Sequence, residues 1–189
     1  MSKARLEAFS DGVIAVIITI MVLELKVPHG ETLETLAPLV PVFLSYVLSF
    51  TNVGIYWNNH HHLLHSAHKI NGRVLWANLH LLFWLSLFPF VTAWMGENHF
   101  QTWPVAIYGV VSFMSGVAYT LLAKALAALH GPTSAIAVAL GRDFKGKISL
   151  GIYAAAIGLA FVNPWIALAL IVAVAAMWFV PDRRFEHVA

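Results

Sequence analysis

Long apolar stretches alternate with short polar segments along the chain, and six of these stretches are long enough, or nearly so, to cross a bilayer. A membrane-spanning helix needs roughly 20 mostly apolar residues. The pattern predicts spans at about residues 5–26, 37–64, 73–95, 102–129, 147–163 and 164–180. The last two are short and meet at Asn163-Pro164, which indicates a tight helical hairpin because a proline disfavours helix in the residue before it. The less apolar stretch 132–147 is interpreted as a short surface helix plus a loop.

Composition agrees with a membrane protein. Of the 189 residues, 60% are hydrophobic and 11% are charged, whereas soluble domains carry about 25% charged residues. The absence of cysteine excludes disulfides, thiolate metal sites and a cysteine nucleophile. The net charge of +2 comes with no basic stripe, so nucleic acid is not a predicted partner. No repeat or linker divides the chain, which predicts one all-α membrane domain over residues 1–189.

Lysine and arginine are distributed unevenly between the two predicted sides of the membrane. If six spans alternate, only Lys26 falls on one side of the bilayer. The other side receives the remaining ten basic residues: Lys3, Arg5, Lys69, Arg73, Lys124, Arg142, Lys145, Lys147, Arg183 and Arg184. Because cytoplasmic loops carry the excess of Lys and Arg, both termini are predicted to be cytoplasmic in a multi-pass protein of the cell membrane.

The first span begins with charged residues. Arg5 and Asp11 precede an apolar run, 13–23, in which Thr19 is the one polar residue. Ionisable groups at a bilayer boundary are costly and normally face protein, water or an ion path. Helical spacing also predicts an apolar stripe along this span. By itself such a stripe is most often packing surface, and the charged residues at the start of the span could equally form structural ion pairs. The stripe comprises Gly12, Val16, Thr19 and Leu23, with Ile20 at its edge.

Several motifs resemble the transmembrane protein 175 family, which are potassium channels of lysosomes and prokaryotes. The most specific motif is the head of span one, Arg5-x-x-x-Phe9-Ser10-Asp11-Gly12, followed by an apolar helix that ends in Leu23-Glu24-Leu25-Lys26-Val27-Pro28. The similarity continues in span two with Tyr56-Trp57-x-Asn59-His60-His61-x-Leu63. In span three it includes Asn78 and Ser86-Leu87-Phe88-Pro89-Phe90-x-Thr92.

The resemblance implies a homotetramer in which four copies of span one line a central pore for K⁺ and other monovalent cations, with no cofactor. The family's constriction is a bulky aliphatic residue five positions after the motif aspartate, which is Val16 in this chain. Thr19 and Leu23 would be the next pore-facing positions. Val16 is smaller than the usual isoleucine or leucine, which puts tight closure of the neck in question. Like the family, the chain lacks the Thr-Val-Gly-Tyr-Gly filter of ordinary potassium channels.

The histidines at the end of span two predict a polar network around the base of helix one. His60 or His61, with Trp57 and Asn59, is expected to bond to Ser10, Asp11 or Arg5, because buried polar groups need partners. By resemblance this shell, with Phe9 and Asn78, holds the pore helix. The alternative is a set of simple interfacial histidines. His61 and His65 have a zinc-compatible spacing but lack the flanking glutamate of a metalloprotease, so no native metal site is predicted.

Two other classes of function remain to be weighed. An intramembrane enzyme would need paired carboxylates or an activated nucleophile, and the chain shows no such constellation, so no catalytic residue is predicted. A secondary transporter usually shows inverted repeats and broken helices at the midplane, and neither is evident. The sequence therefore favours a potassium-conducting channel with a hydrophobic constriction on helix one, with a proton-permeable pore or a cation transporter as the alternative.

Overall fold

The computed structural model describes residues 2–141 and 143–179, and all regular structure within them is helical. Arg142, Arg183, Arg184 and the end of the predicted sixth span lie outside the described residues. The helices are α1 (Lys3–Val22), a 3₁₀ helix (Leu33–Leu39), α2 (Val40–His65), α3 (Gly72–Leu85), α4 (Phe88–Glu97), α5 (Thr102–His130), α6 (Ala135–Gly141), α7 (Phe144–Leu159) and α8 (Pro164–Phe179). The all-α prediction is confirmed.

Within residues 2–141 and 143–179, three segments are long and apolar enough to cross a membrane: Leu33–His65, Gly72–Glu97 and Thr102–His130. Helix α8 is apolar but shorter. Helix α1 is not among the three and carries Arg5, Glu7 and Asp11 in its first half, and α7 has 16 residues. The six-span count therefore stays a prediction, although every predicted span contains at least one helix.

The predicted third span is not one continuous helix. Its two parts, α3 and α4, are separated at Ser86 and Leu87, just before Pro89 at the start of α4. A proline has no backbone N–H to donate and is tolerated in the first turn of a helix but not in its interior, which is why a new helix begins here. The first span also ends earlier than expected, since α1 stops at Val22 and not near residue 26.

Side-chain caps define where several helices begin. Ser2 accepts a hydrogen bond from the Arg5 N–H (3.4 Å), Asn71 from the Val74 N–H (3.0 Å) and Asp143 from the Gly146 N–H (2.8 Å). Each cap pairs one of the backbone donors that the first turn of a helix leaves without a partner. At the other end of α5, Gly131 has φ = 90°, a conformation that suits glycine and stops the helix.

Small residues let the helices approach closely. A Cβ on Gly96 of α4 would lie 2.7 Å from the Cα of Val42 in α2. A Cβ on Gly116 of α5 would lie 2.9 Å from the Leu150 side chain in α7. Glycine at such points leaves room for the neighbouring helix, as small residues do where membrane helices pack. Helix α5 thus packs between α3 on one side and α7 on the other, whereas α1 packs on α2, α3 and α4.

A buried polar cluster joins three of these helices within the apolar interior. Asn52 Nδ2 donates to the hydroxyl of Tyr108 (3.0 Å), and that hydroxyl also bonds Ser49 Oγ (3.0 Å). Thr92 Oγ1 donates to Ser49 Oγ (2.6 Å). In a bilayer such groups need partners inside the protein, and here they find one another across α2, α4 and α5.

Candidate functional site

Helix α1 has one buried face and one open face. The buried face comprises Leu6, Ser10, Ile14, Ile17 and Met21 at helical spacing. The open face contains the whole stripe predicted from the sequence, namely Gly12, Val16, Thr19, Ile20 and Leu23. Val16 is 54% exposed and Leu23 is 75% exposed, so neither is part of the protomer's own core. An apolar face left open on a membrane helix is available to lipid or to another copy of the chain.

Thr19 uses its hydroxyl proton within its own helix. The hydroxyl lies 3.0 Å from the carbonyl oxygens of both Ala15 and Val16, so it donates to the backbone. Because the proton points back at the helix, the oxygen lone pairs are left for a group in front of the open face. Leu23 caps α1 with helical dihedrals (φ −68°, ψ −18°), so the stripe continues one residue beyond the helix.

The open face of α1 borders a groove of about 620 Å³ whose lining is almost entirely apolar. Phe9, Gly12, Val16 and Ile20 line it from α1, and Pro89 lines it from the start of α4. Ser86, at the break between α3 and α4, completes the wall. The helix break therefore lies beside the stripe and shapes the surface next to it.

A buried hydrogen-bond chain anchors the base of α1. Ser10 Oγ donates to the Leu6 carbonyl (2.8 Å) and accepts from Asn78 Nδ2 of α3 (2.9 Å). Asn78 Oδ1 in turn lies 2.7 Å from His60 Nε2 of α2. The amide oxygen can only accept, so His60 donates from Nε2. Ser10, Asn78 and His60 are almost fully buried, and the chain fixes α1 against two neighbouring helices.

A second contact joins α1 and α2 at a more open position. The indole Nε1 of Trp57 donates to Asp11 Oδ1 (3.0 Å). The ring of His61 stacks between Trp57 and His65, with centroid separations of 6.3 Å and 6.1 Å. Asp11 is exposed, but its carboxylate has a defined partner in Trp57. A hydrogen bond to a charged acceptor is stronger than one between neutral groups.

Two residues of the predicted network lie elsewhere. Asn59 Nδ2 donates to the Ile55 carbonyl of its own helix (2.9 Å), and the Asn59 carbonyl accepts from Tyr119 of α5 (3.1 Å). It therefore makes no bond to α1 and instead faces α5. Arg5 is exposed, and among the described residues its guanidinium has no hydrogen-bond or ion-pair partner. Phe9 is also exposed, on the groove side of α1.

Two contacts of α1 were not anticipated from the sequence. Lys3 Nζ donates to the carbonyl of His65 at the end of α2 (3.2 Å) and pairs with Glu7 (3.7 Å). At the other end, Thr92 lies 3.9 Å from the Met21 sulfur, which links α1 to the buried polar cluster. A signal for that cluster is present in the sequence as polar residues at helical spacing along α2: Ser45, Ser49, Asn52, Tyr56 and Asn59.

Among residues 2–141 and 143–179, no group of three or more His, Asp or Glu side chains is arranged to hold a metal ion. His61 and His65 are stacked ring on ring, with an interplanar angle of 21°. The site therefore consists of an apolar helix face and a polar anchor behind it. Such an arrangement can line a water-excluding pathway.

Comparisons with known proteins place these features in context. The family model described as the endosomal/lysosomal potassium channel TMEM175 matches residues 5–89, which contain α1, α2, α3 and the break before α4. A potassium channel of Chryseobacterium sp. (strain P1-3) is 52% identical over 186 residues, covering 98% of this chain and 97% of that protein. The endosomal/lysosomal proton channel TMEM175 of Gallus gallus is 40% identical over 75 residues, which cover 33% of this chain and 15% of the chicken protein.

A solved structure shares the fold. The crystal structure of a lysosomal potassium-selective channel TMEM175 homolog from Chamaesiphon minutus superimposes with a TM-score of 0.80 at 26% sequence identity. The superposition covers 94% of this chain and 96% of the cyanobacterial chain. The likeness therefore extends past the residues matched by the family model and includes the second half of the chain.

Proposed function

Because the chain belongs to the TMEM175 family of ion channels, we propose that it conducts potassium across the cell membrane through a pore lined by α1. The family is one of ion channels and not of enzymes, and this membership confirms the resemblance found in the sequence. The observation that carries the proposal is the open stripe of α1, which presents an apolar residue, Val16, and the hydroxyl oxygen of Thr19 outward from the protomer.

Four copies of α1 around a central axis turn this stripe into the wall of a pore. A ring of Val16 side chains makes an apolar neck, and such a neck blocks ions by excluding water. The Thr19 oxygens form the next ring and supply ligands to a partly dehydrated cation. The channel opens when α1 tilts or rotates so that the neck widens and fills with water. The buried chain from Ser10 through Asn78 to His60 holds the base of α1 and sets the pivot for that movement.

Potassium flux into liposomes tests the proposal. The purified chain is compared with the variants Val16→Trp, which fills the neck, and Val172→Trp, which places the same side chain at an exposed position of α8. Flux that prefers potassium over sodium, falls at least tenfold in Val16→Trp and persists in Val172→Trp supports the pore. Equal flux from all three proteins refutes the assignment of the neck to Val16.

Protons are the second candidate for the permeant ion, because vertebrate relatives carry the name of proton channels. A pH-sensitive dye inside the same liposomes measures this flux directly. Proton flux that Val16→Trp abolishes together with potassium flux assigns both ions to one pore. Proton flux that survives in Val16→Trp requires a different route.

A further inference from the structure

The far side of the protomer carries a groove that the pore does not use. Helices α5, α6 and α7 form this groove, which has a volume of about 570 Å³ and a mostly apolar lining. Its walls include Thr120, Ala127, Ala137, Leu140 and Leu150. Two lysines, Lys124 on α5 and Lys147 on α7, line the same groove, together with Asp143.

The two lysines carry unneutralised charge. Both are exposed, and within the described part of the chain neither ammonium group has a hydrogen-bond or ion-pair partner. Asp143 uses one carboxylate oxygen to cap α7 through the Gly146 N–H (2.8 Å). Lys145 lies over the Trp178 ring, 5.9 Å from its centroid, and does not line the groove. The groove therefore combines an apolar floor with two positive charges and one negative charge.

The two lysines lie partway along the lining of the groove, with Thr120 and Ala127 on either side of Lys124 along α5 and Asp143 and Leu150 on either side of Lys147 along α7. A Cβ on Gly116 would lie 2.9 Å from the Leu150 side chain, so α5 and α7 are in contact at this level. Lys124 lies about two helical turns from Gly116, and Lys147 lies about one turn from Leu150, both toward the end of the molecule where most basic residues lie. In the orientation predicted from the basic residues, Thr120 and Leu150 therefore lie deeper in the bilayer than the two ammonium groups.

We propose that this groove binds an anionic phospholipid, with its phosphate held between Lys124 and Lys147 and an acyl chain lying along the apolar walls. Basic pockets between membrane helices on the cytoplasmic side bind anionic headgroups by this combination of charge and apolar surface. In the proposed pore the copies meet along α1, whereas the groove lies on α5, α6 and α7, so a second copy of the chain is a poorer occupant. The proposal rests on the membrane orientation given above but not on ion conduction.

Native mass spectrometry of the detergent-purified full chain tests the site. The probes are phosphatidylglycerol and phosphatidylcholine with identical acyl chains. Two lysines near an anionic headgroup contribute about 1 kcal/mol each, which corresponds to roughly a 30-fold preference for the anionic lipid. The double variant Lys124→Gln/Lys147→Gln should lose this preference. The matched control, Lys69→Gln/Arg73→Gln, removes two exposed charges on the same predicted side and should keep it.

A third variant tests the apolar half of the site. Ala137→Trp fills the groove but keeps both lysines, and it should reduce binding of the intact lipid by at least tenfold. An equal loss of the lipid preference in Lys124→Gln/Lys147→Gln and in the Lys69→Gln/Arg73→Gln control would mean that the lipid responds to overall charge, and this would overturn the proposal. So would an unchanged lipid preference in Lys124→Gln/Lys147→Gln. Because the readout is bound lipid, these results do not depend on whether the chain conducts ions.

Discussion

At the scale of single residues, Asn78 is the point on which the anchor of α1 depends. It is fully buried and bonds both Ser10 and His60. Replacing it with leucine removes both bonds and leaves the His60 N–H buried without an acceptor. A buried unsatisfied donor costs about 1–3 kcal/mol, so Asn78→Leu should lower the free energy of unfolding by that amount, as measured by chemical denaturation in detergent.

Asn59 provides the matched control for that experiment. It lies on α2, as His60 does, but among the described residues its side chain bonds the Ile55 carbonyl of its own helix and no other group. That carbonyl keeps its helical partner when the amide is removed, so Asn59→Leu should change stability by less than about 1 kcal/mol. Equal destabilisation by the two variants would contradict the anchoring role of Asn78.

In the proposed pore, we expect Thr19 to decide how a partly dehydrated cation is held. Its hydroxyl donates to the backbone and leaves its lone pairs toward the open face. Thr19→Ser keeps that oxygen, whereas Thr19→Val keeps the shape of the side chain and removes the oxygen. Since dehydration must be offset by protein ligands, Thr19→Val should lower the potassium-to-sodium flux ratio several-fold and Thr19→Ser should preserve it. A ratio unchanged in Thr19→Val would exclude this oxygen from selectivity.

At the scale of helices, Gly96 sets the distance between α2 and α4. A Cβ there would lie 2.5 Å from Ser45 Oγ and 2.7 Å from the Val42 Cα, and backbone cannot move aside cheaply. Overpacking of this kind costs about 1–3 kcal/mol, so Gly96→Ala should destabilise the fold by that amount in thermal unfolding. Gly54 in α2 has no atom within 4 Å of a built Cβ, so Gly54→Ala should instead stabilise by up to about 1 kcal/mol. Stabilisation by both variants would show that helix propensity, not contact, decides.

Periodicity within one helix was sufficient to predict the stripe on α1, because Gly12, Val16 and Thr19 share a face whatever packs nearby. The turn at Asn163-Pro164 could also be predicted from the sequence, since proline restricts the backbone of its immediate neighbours. Hydropathy averaged over residues 73–95 did not reveal the break at Ser86, because both halves are apolar. The bond between Ser49 and Tyr108 depends on the relative register of α2 and α5, which neither helix encodes alone.

At the scale of the whole molecule, the orientation in the membrane is still a prediction, and the absence of cysteine makes it directly testable. His29→Cys labels the segment between α1 and α2, and Lys69→Cys labels the segment between α2 and α3; both positions are exposed. The excess of basic residues predicts that Lys69 faces the cytoplasm. An impermeant thiol reagent added to intact cells should therefore label His29→Cys and spare Lys69→Cys until the cells are opened. Labelling of both in intact cells would contradict the alternation of spans.

The proposed pore requires an assembly, because one copy of α1 encloses nothing. If α1 faces the axis of a homotetramer, a cysteine at Val16 lies near its counterparts, whereas a cysteine at Val172 of α8, also exposed, faces outward. A short bifunctional thiol reagent should then join Val16→Cys protomers covalently in membranes and leave Val172→Cys as monomers on a denaturing gel.

The two positions differ in the face of the protomer they occupy and not in reactivity, since both side chains are open and the background has no other thiol. Efficient joining through Val172 with none through Val16 would place α8 at the interface and α1 against lipid. The stripe of α1 would then be ordinary lipid-facing surface, and the pore would have to be sought on another helix. Joining through Val16 alone leaves the open face of α1 as the surface that the copies share.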